Sequence, residues 1–64
     1  MSDHWCYIGR VADGTILCMA LDTPNTRNDV AKWLREGLTI ERVPLAWARE
    51  NFQTANPYQP ASQP

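Results

Sequence analysis

A chain of 64 residues has room for a single domain, and domains of about 60 residues bury only roughly 60% of their unfolded surface. Hydrophobic residues make up 44% of it, with three Trp, two Tyr and one Phe, a globular composition over residues 4–52. Six Lys and Arg against seven Asp and Glu leave a net charge of -1. That balance shows neither the basic field of a duplex-DNA binder nor the dense acidity of a nucleic-acid mimic.

The opening residues, MSDHWCYIGR, lack the basic start and long apolar run of a signal peptide. No run approaches the roughly 18 consecutive apolar residues of a membrane span. A cytoplasmic chain with no membrane partner is therefore expected.

Residues 4–11 (HWCYIGRV) and 15–21 (TILCMAL) are rich in the aromatic and β-branched side chains that strands prefer. Asp13-Gly14 between them predicts a hairpin with a two-residue type I′ tip. That register sets Val11 opposite Ile16, Gly9 opposite Cys18, Ile8 opposite Met19 and Cys6 opposite Leu21. One face then carries Cys6, Ile8, Leu17, Met19 and Leu21, and the other Trp5, Tyr7, Val11, Ile16, Cys18 and Ala20. Both faces are apolar, so each needs a cover.

Leu21-Asp22-Thr23-Pro24-Asn25 breaks the strand. A helix follows with Thr26 as its N-cap and Asp29 at the third helical position, Thr23-Pro24 being the competing start. Val30, Trp33 and Leu34 form its buried stripe, Arg27, Lys32, Arg35 and Glu36 its wet side, and Gly37 its left-handed end. Leu38–Val43 reads as a third strand. Pro44 suits the first position of a short helix, LAWARENF, with Leu45, Ala48 and Phe52 on one face and Trp47 set apart. The expected fold is α+β, of order ββαβα: an antiparallel hairpin plus a third strand, packed by one main helix and a short C-terminal helix. It occupies residues 1–52, and 53–64 (QTANPYQPASQP) read as a flexible Pro-rich tail.

Chemistry-bearing patterns are few. Cys6 and Cys18 fall on opposite faces of the hairpin, which disfavours a disulfide, and two small buried hydrophobes in a reducing cytosol is the reading. His4 with the two cysteines matches no zinc spacing, so no metal is expected. The chain has one His, no Ser within the folded part and no carboxylates forced together, so no catalytic activity is expected. The three glycines fit no phosphate-binding motif, so no cofactor is expected either.

What remains is a set of residue types enriched at binding hot spots. Trp5 and Tyr7 project side by side from the first strand, two positions apart and so on the same face. If the main helix covers the Cys6–Ile8–Met19 face, Trp5 and Tyr7 are left to the final helix or to a partner. Trp47 lies off the main stripe of the final helix. Five of the six cationic residues are arginine, whose planar head makes several directed hydrogen bonds. Trp5, Tyr7, Arg10, Arg27, Arg35 and Trp47 are therefore the expected protein-binding residues.

The stretch from Trp5 to Phe52, with its WCYIG first strand, Asp-Gly hairpin and AKWLREGLTIERVPLAWARE segment, resembles the small orphan proteins of bacteriophages and prophages. Many of those are host-takeover or anti-defence factors, including anti-CRISPR proteins that occupy a surface of a host nuclease complex. The resemblance implies an inhibitor that blocks a host protein complex sterically, with a CRISPR effector as one such partner, acting as a monomer or weak homodimer. It transfers no site residues. Two rivals come from other classes: a nucleic-acid-binding regulator using Arg27, Lys32 and Arg35, and a self-associating structural protein joined through edge strands or the Trp5–Tyr7 face.

Overall fold

The computed structural model describes residues 4–59, in the order β1 (Trp5–Arg10), β2 (Ile16–Leu21), α1 (Thr26–Arg35), β3 (Thr39–Pro44) and α2 (Leu45–Asn51). The strands form one antiparallel sheet in the order β2-β1-β3. This is the expected small α+β fold, with β1 at the centre.

The hairpin tip differs from the expectation by one residue, and a second irregularity cancels the difference. Val11 donates its N–H to the Thr15 carbonyl (3.0 Å) and accepts from Gly14 N (2.9 Å). Gly14 alone at the tip has a positive φ, 94°, so the connection is the three-residue form with a left-handed glycine, not a type I′ turn. Asp13 steadies it by accepting from Thr15 N at 2.9 Å. Arg10 consequently pairs with Ile16, not Leu17, and Val11 does not face Ile16. The register then shifts between Gly9 and Arg10, leaving Leu17 as the extra residue of a bulge. From Gly9–Cys18 to Cys6–Leu21 the pairs are those the sequence predicts.

Those two offsets decide which side chains reach the core. Ile16 joins the Cys6–Ile8 face and is fully buried, while Leu17, expected on that face, is 51% exposed. A one-residue shift between the two irregularities exchanges the sides of those neighbours.

The helices cover opposite sides of the sheet. Ala48 of α2 completes a cluster with Cys6, Ile8, Ile16 and Val43, flanked by Met19, Leu45, Trp47 and Tyr58. The longer α1 crosses the Tyr7–Gly9 side instead and makes no contact with α2. Gly9 admits the side chain of Leu38 on that side, for a Cβ there would lie 3.1 Å from Leu38 Cδ1. The predicted α1 stripe is only partly covered: Val30 and Trp33 are half-buried and Leu34 is 56% exposed. Thr26 is the only buried residue of α1.

Local signals explain the ends of these elements. Asn25, not Thr26, occupies the N-cap, and Thr26 turns its hydroxyl back to the Leu21 carbonyl and the Thr23 hydroxyl. At the other end Gly37 N donates to Leu34 O and Leu38 N to Trp33 O, with Gly37 at φ 91°. That is the expected left-handed glycine end, in the Schellman arrangement. Pro44 closes β3 as an extended N-cap of α2 instead of entering the helix.

Part of the expected tail is held against the domain. Gln53 N donates to Ile16 O and Ile16 N to Thr54 O, so this segment adds a short backbone pairing to the outer edge of β2. Tyr58 packs edge-on to Trp47 with ring centroids 5.1 Å apart. Residues 60–64 of the predicted tail lie outside the described residues. The other end of the β2 edge is also engaged, because Leu21 O accepts from Thr23 N and from the Thr26 hydroxyl. Leu45 N donates to His4 O, and alternation then turns the backbone of Ile40, Arg42 and Pro44 outward on β3. Proline on that open edge removes one donor from it.

Candidate protein-docking surface

Each side of the sheet carries an arginine stacked on a tryptophan and paired with a carboxylate, and the two clusters differ in how much solvent they meet. Arg10 ends β1 on the α2 side, diagonal to Glu41 of β3 because Glu41 pairs with Ile8 and Thr39 with Arg10. Its Nε donates to Glu41 Oε1 (2.7 Å), Nη1 to Gly14 O (2.7 Å) and Nη2 to Asn56 O (2.8 Å). The guanidinium also sits 5.9 Å from the centroid of the Trp47 ring. Its side chain is 10% exposed. Every nitrogen of this group has a partner inside the molecule, and those partners tie the hairpin tip, β3 and the C-terminal segment together.

Arg42 does the opposite on the α1 side. In the β1–β3 register Arg42 faces Tyr7 and Pro44 faces Trp5, so Arg42 and Trp5 are diagonal neighbours on one face. The guanidinium lies 4.6 Å from the centroid of the Trp5 ring and reaches past it to Asp22, at the end of β2, through Nε–Oδ2 at 2.8 Å. The Arg42 side chain is 49% exposed. A shallow depression around this pair is lined by His4, Trp5, Leu21, Asp22, Thr23 and Arg42.

A groove of about 510 Å³ adjoins it between α1 and the sheet. Tyr7, Pro24, Val30, Ala31 and Leu34 give it apolar walls, and Arg27, Asp22 and Thr23 its polar ones. Val30, Ala31 and Leu34 share a helix face by their spacing of one and three residues, with Arg27 one turn earlier. Asp22 and Thr23 belong to both depressions, which makes the two continuous.

The structure therefore gathers Trp5, Tyr7 and Arg27 on one surface. Arg35 is exposed in the last turn of α1 but does not line either depression. Arg10 and Trp47 lie on the other side of the sheet and are consumed by packing. Sequence reading missed Arg42, Asp22 and the exposure of Leu34. The TIERVP alternation marks Arg42 as facing the same way as Ile40, but its meeting with Trp5 depends on a register between distant strands.

Among the described residues no group of three or more His, Cys, Asp or Glu side chains converges as a metal site. Both cysteines are free; Cys6 is buried and Cys18 half-buried, on opposite faces as the register predicts. Burial pushes the Cys6 thiol pKa up, because the thiolate loses its hydration there. Hydrogen bonds from Thr15, its hydroxyl foremost and its amide second, hold the Asp13 carboxyl below the ordinary carboxylate range. Within the described residues no helix is long and apolar enough to cross a membrane.

No family model matches the chain, and no curated protein or solved structure matches it significantly.

Proposed function

We propose that this chain is a non-catalytic binding protein that docks on a partner protein with the α1 side of its sheet and acts by covering a surface of that partner. One observation carries the reading. The α2 side holds the fully buried cluster, whereas the α1 side leaves Leu34, half-buried Trp5 and Tyr7 and a solvent-facing Arg42 around one groove. Tryptophan, tyrosine and arginine beside a concave apolar surface are the residue types from which binding hot spots are built.

The resemblance of Trp5–Phe52 to small phage and prophage proteins supports a finer reading. The partner is a host defence complex, such as a CRISPR effector, met in the host cytoplasm and inhibited by steric blocking. The test is phage plating on a defence-positive strain expressing the chain or its Leu34→Asp variant. Leu34 is exposed enough for that change to leave the fold standing. Protection by the parent and its loss in Leu34→Asp at equal melting temperature is the expected result. No protection together with no partner recovered from host lysate, or protection indifferent to Leu34→Asp, contradicts the reading. Steep loss of binding with added salt toward DNA or RNA favours the nucleic-acid rival instead.

A further inference from the structure

We propose that the α1-side surface receives a partner segment in which a large apolar side chain stands next to a carboxylate. The apolar group enters the groove, and the carboxylate closes onto Arg42 with Arg27 flanking. This inference rests on the docking reading above and names the chemistry of the partner that reading leaves open.

The apolar half follows from the walls. Tyr7, Pro24, Val30, Ala31 and Leu34 surround a space of about 510 Å³, within the range of roughly 300–1,000 Å³ typical of ligand pockets. Leu34 stands 56% exposed at its edge, so the groove has apolar surface still to bury.

The acidic half follows from how Arg42 is held. Its Nε is engaged by Asp22, and among the described residues neither terminal nitrogen has a hydrogen-bond partner. The indole of Trp5 beneath and Asp22 beside fix the plane of the group. What faces solvent is thus a preset pair of N–H donors, the fork that fits a carboxylate in two parallel bonds. A guanidinium already held in place loses less rotamer freedom when a ligand arrives.

Charge points the same way. The joined rim holds two cations, Arg27 and Arg42, against one carboxylate, Asp22. Arg27 is exposed and forms no ion pair among the described residues. A phosphate backbone is the poorer occupant, because the adjoining wall is aliphatic and the chain's net charge is -1.

Selection of displayed random peptides on the immobilised full-length chain tests this. The expected winners carry Asp or Glu beside Leu, Phe or Trp. A synthetic copy of the strongest is expected to bind Arg42→Gln and Leu34→Glu chains about tenfold more weakly or worse. Arg49→Gln, on exposed α2 surface, is expected to bind it as the parent does. Arg27→Gln provides a second reading should Arg42→Gln fail to melt cooperatively, with a smaller loss expected. No enrichment, winners without a carboxylate, or equal losses in Arg42→Gln and Arg49→Gln overturn the inference. Winners that need Leu34 but neither Arg42 nor Arg27 overturn it too, while leaving the docking reading intact. Failure of the docking reading itself shows separately, as phage protection indifferent to Leu34.

Discussion

Two arginines, each lying over a tryptophan and each bonded through Nε to a carboxylate, occupy opposite sides of the same sheet. Arg10 spends its remaining nitrogens on the carbonyls of Gly14 and Asn56, residues four and 46 positions away. Among the described residues the remaining nitrogens of Arg42 have no hydrogen-bond partner, and its side chain is 49% exposed. The same side-chain chemistry therefore serves as a clamp where α2 and the C-terminal segment close over it, and as a presented donor where α1 stops short. Location relative to the covering elements decides the role, not residue type.

The longer helix also turns out to be the looser one. Each helix buries one residue, but in ten-residue α1 it is the polar Thr26 with Leu34 left 56% exposed, whereas in seven-residue α2 it is the apolar Ala48 of the core cluster. A chain this small buries only roughly 60% of its unfolded surface. It closes one with α2 and residues 53–58, and the other keeps a groove.

The largest effect that can break this contrast is a cavity on the closed side. Ile8→Ala is expected to cost about 2–5 kcal/mol in urea unfolding, because Ile8 is fully buried in the cluster. Leu34→Ala on the open side is expected to cost well under about 1 kcal/mol. Similar losses at both positions show that α1 packs as tightly as α2.

Next in size is removal of residues 53–64. It deletes two backbone bonds at Ile16, the Asn56 acceptor of Arg10 and the Tyr58–Trp47 contact. A loss of about 4 kcal/mol is expected, at roughly 1 kcal/mol for each net hydrogen bond or aromatic pair. A truncated chain with unchanged stability shows that this segment only rests on the surface.

The smallest effect sharpens the picture of the sealed side. A thiol reagent added to the native chain is expected to modify Cys18 well before Cys6, which is buried and whose raised pKa withholds the thiolate. The same shift carries a sign. Where pH exceeds the ordinary thiol value, unfolded Cys6 ionises while folded Cys6 keeps its proton, so stability falls as pH rises there. Equal labelling rates show that the cluster opens readily.

Much of the architecture was legible because it is local. Gly37 ends α1 through hydrogen bonds within four or five residues of itself, and the Cys6–Leu21 to Gly9–Cys18 register follows from apolar alternation. Period-two reading sees neither the three-residue tip nor the bulge at Leu17 that cancels its offset. The Pro-rich composition of residues 53–64 concealed a packed segment, since its binding comes from backbone groups and one Tyr58 side chain. Of the expected binding residues, Trp5, Tyr7 and Arg27 meet on one surface. Arg10 and Trp47 lie on the other side of the sheet, where their partners, Glu41, Asn56 and Tyr58, are far away in sequence.

The central claim, that one side of the sheet builds the fold and the other is left to bind, is tested most directly by urea unfolding of Arg10→Ala beside Arg42→Ala. Arg10→Ala is expected to lose about 2–4 kcal/mol, for it strips the partners from the Gly14 and Asn56 carbonyls and from Glu41. Arg42→Ala is expected to lose less than about 1 kcal/mol, as half-exposed ion pairs do. Equal losses, or a larger one at Arg42, contradict the division of labour between the two faces.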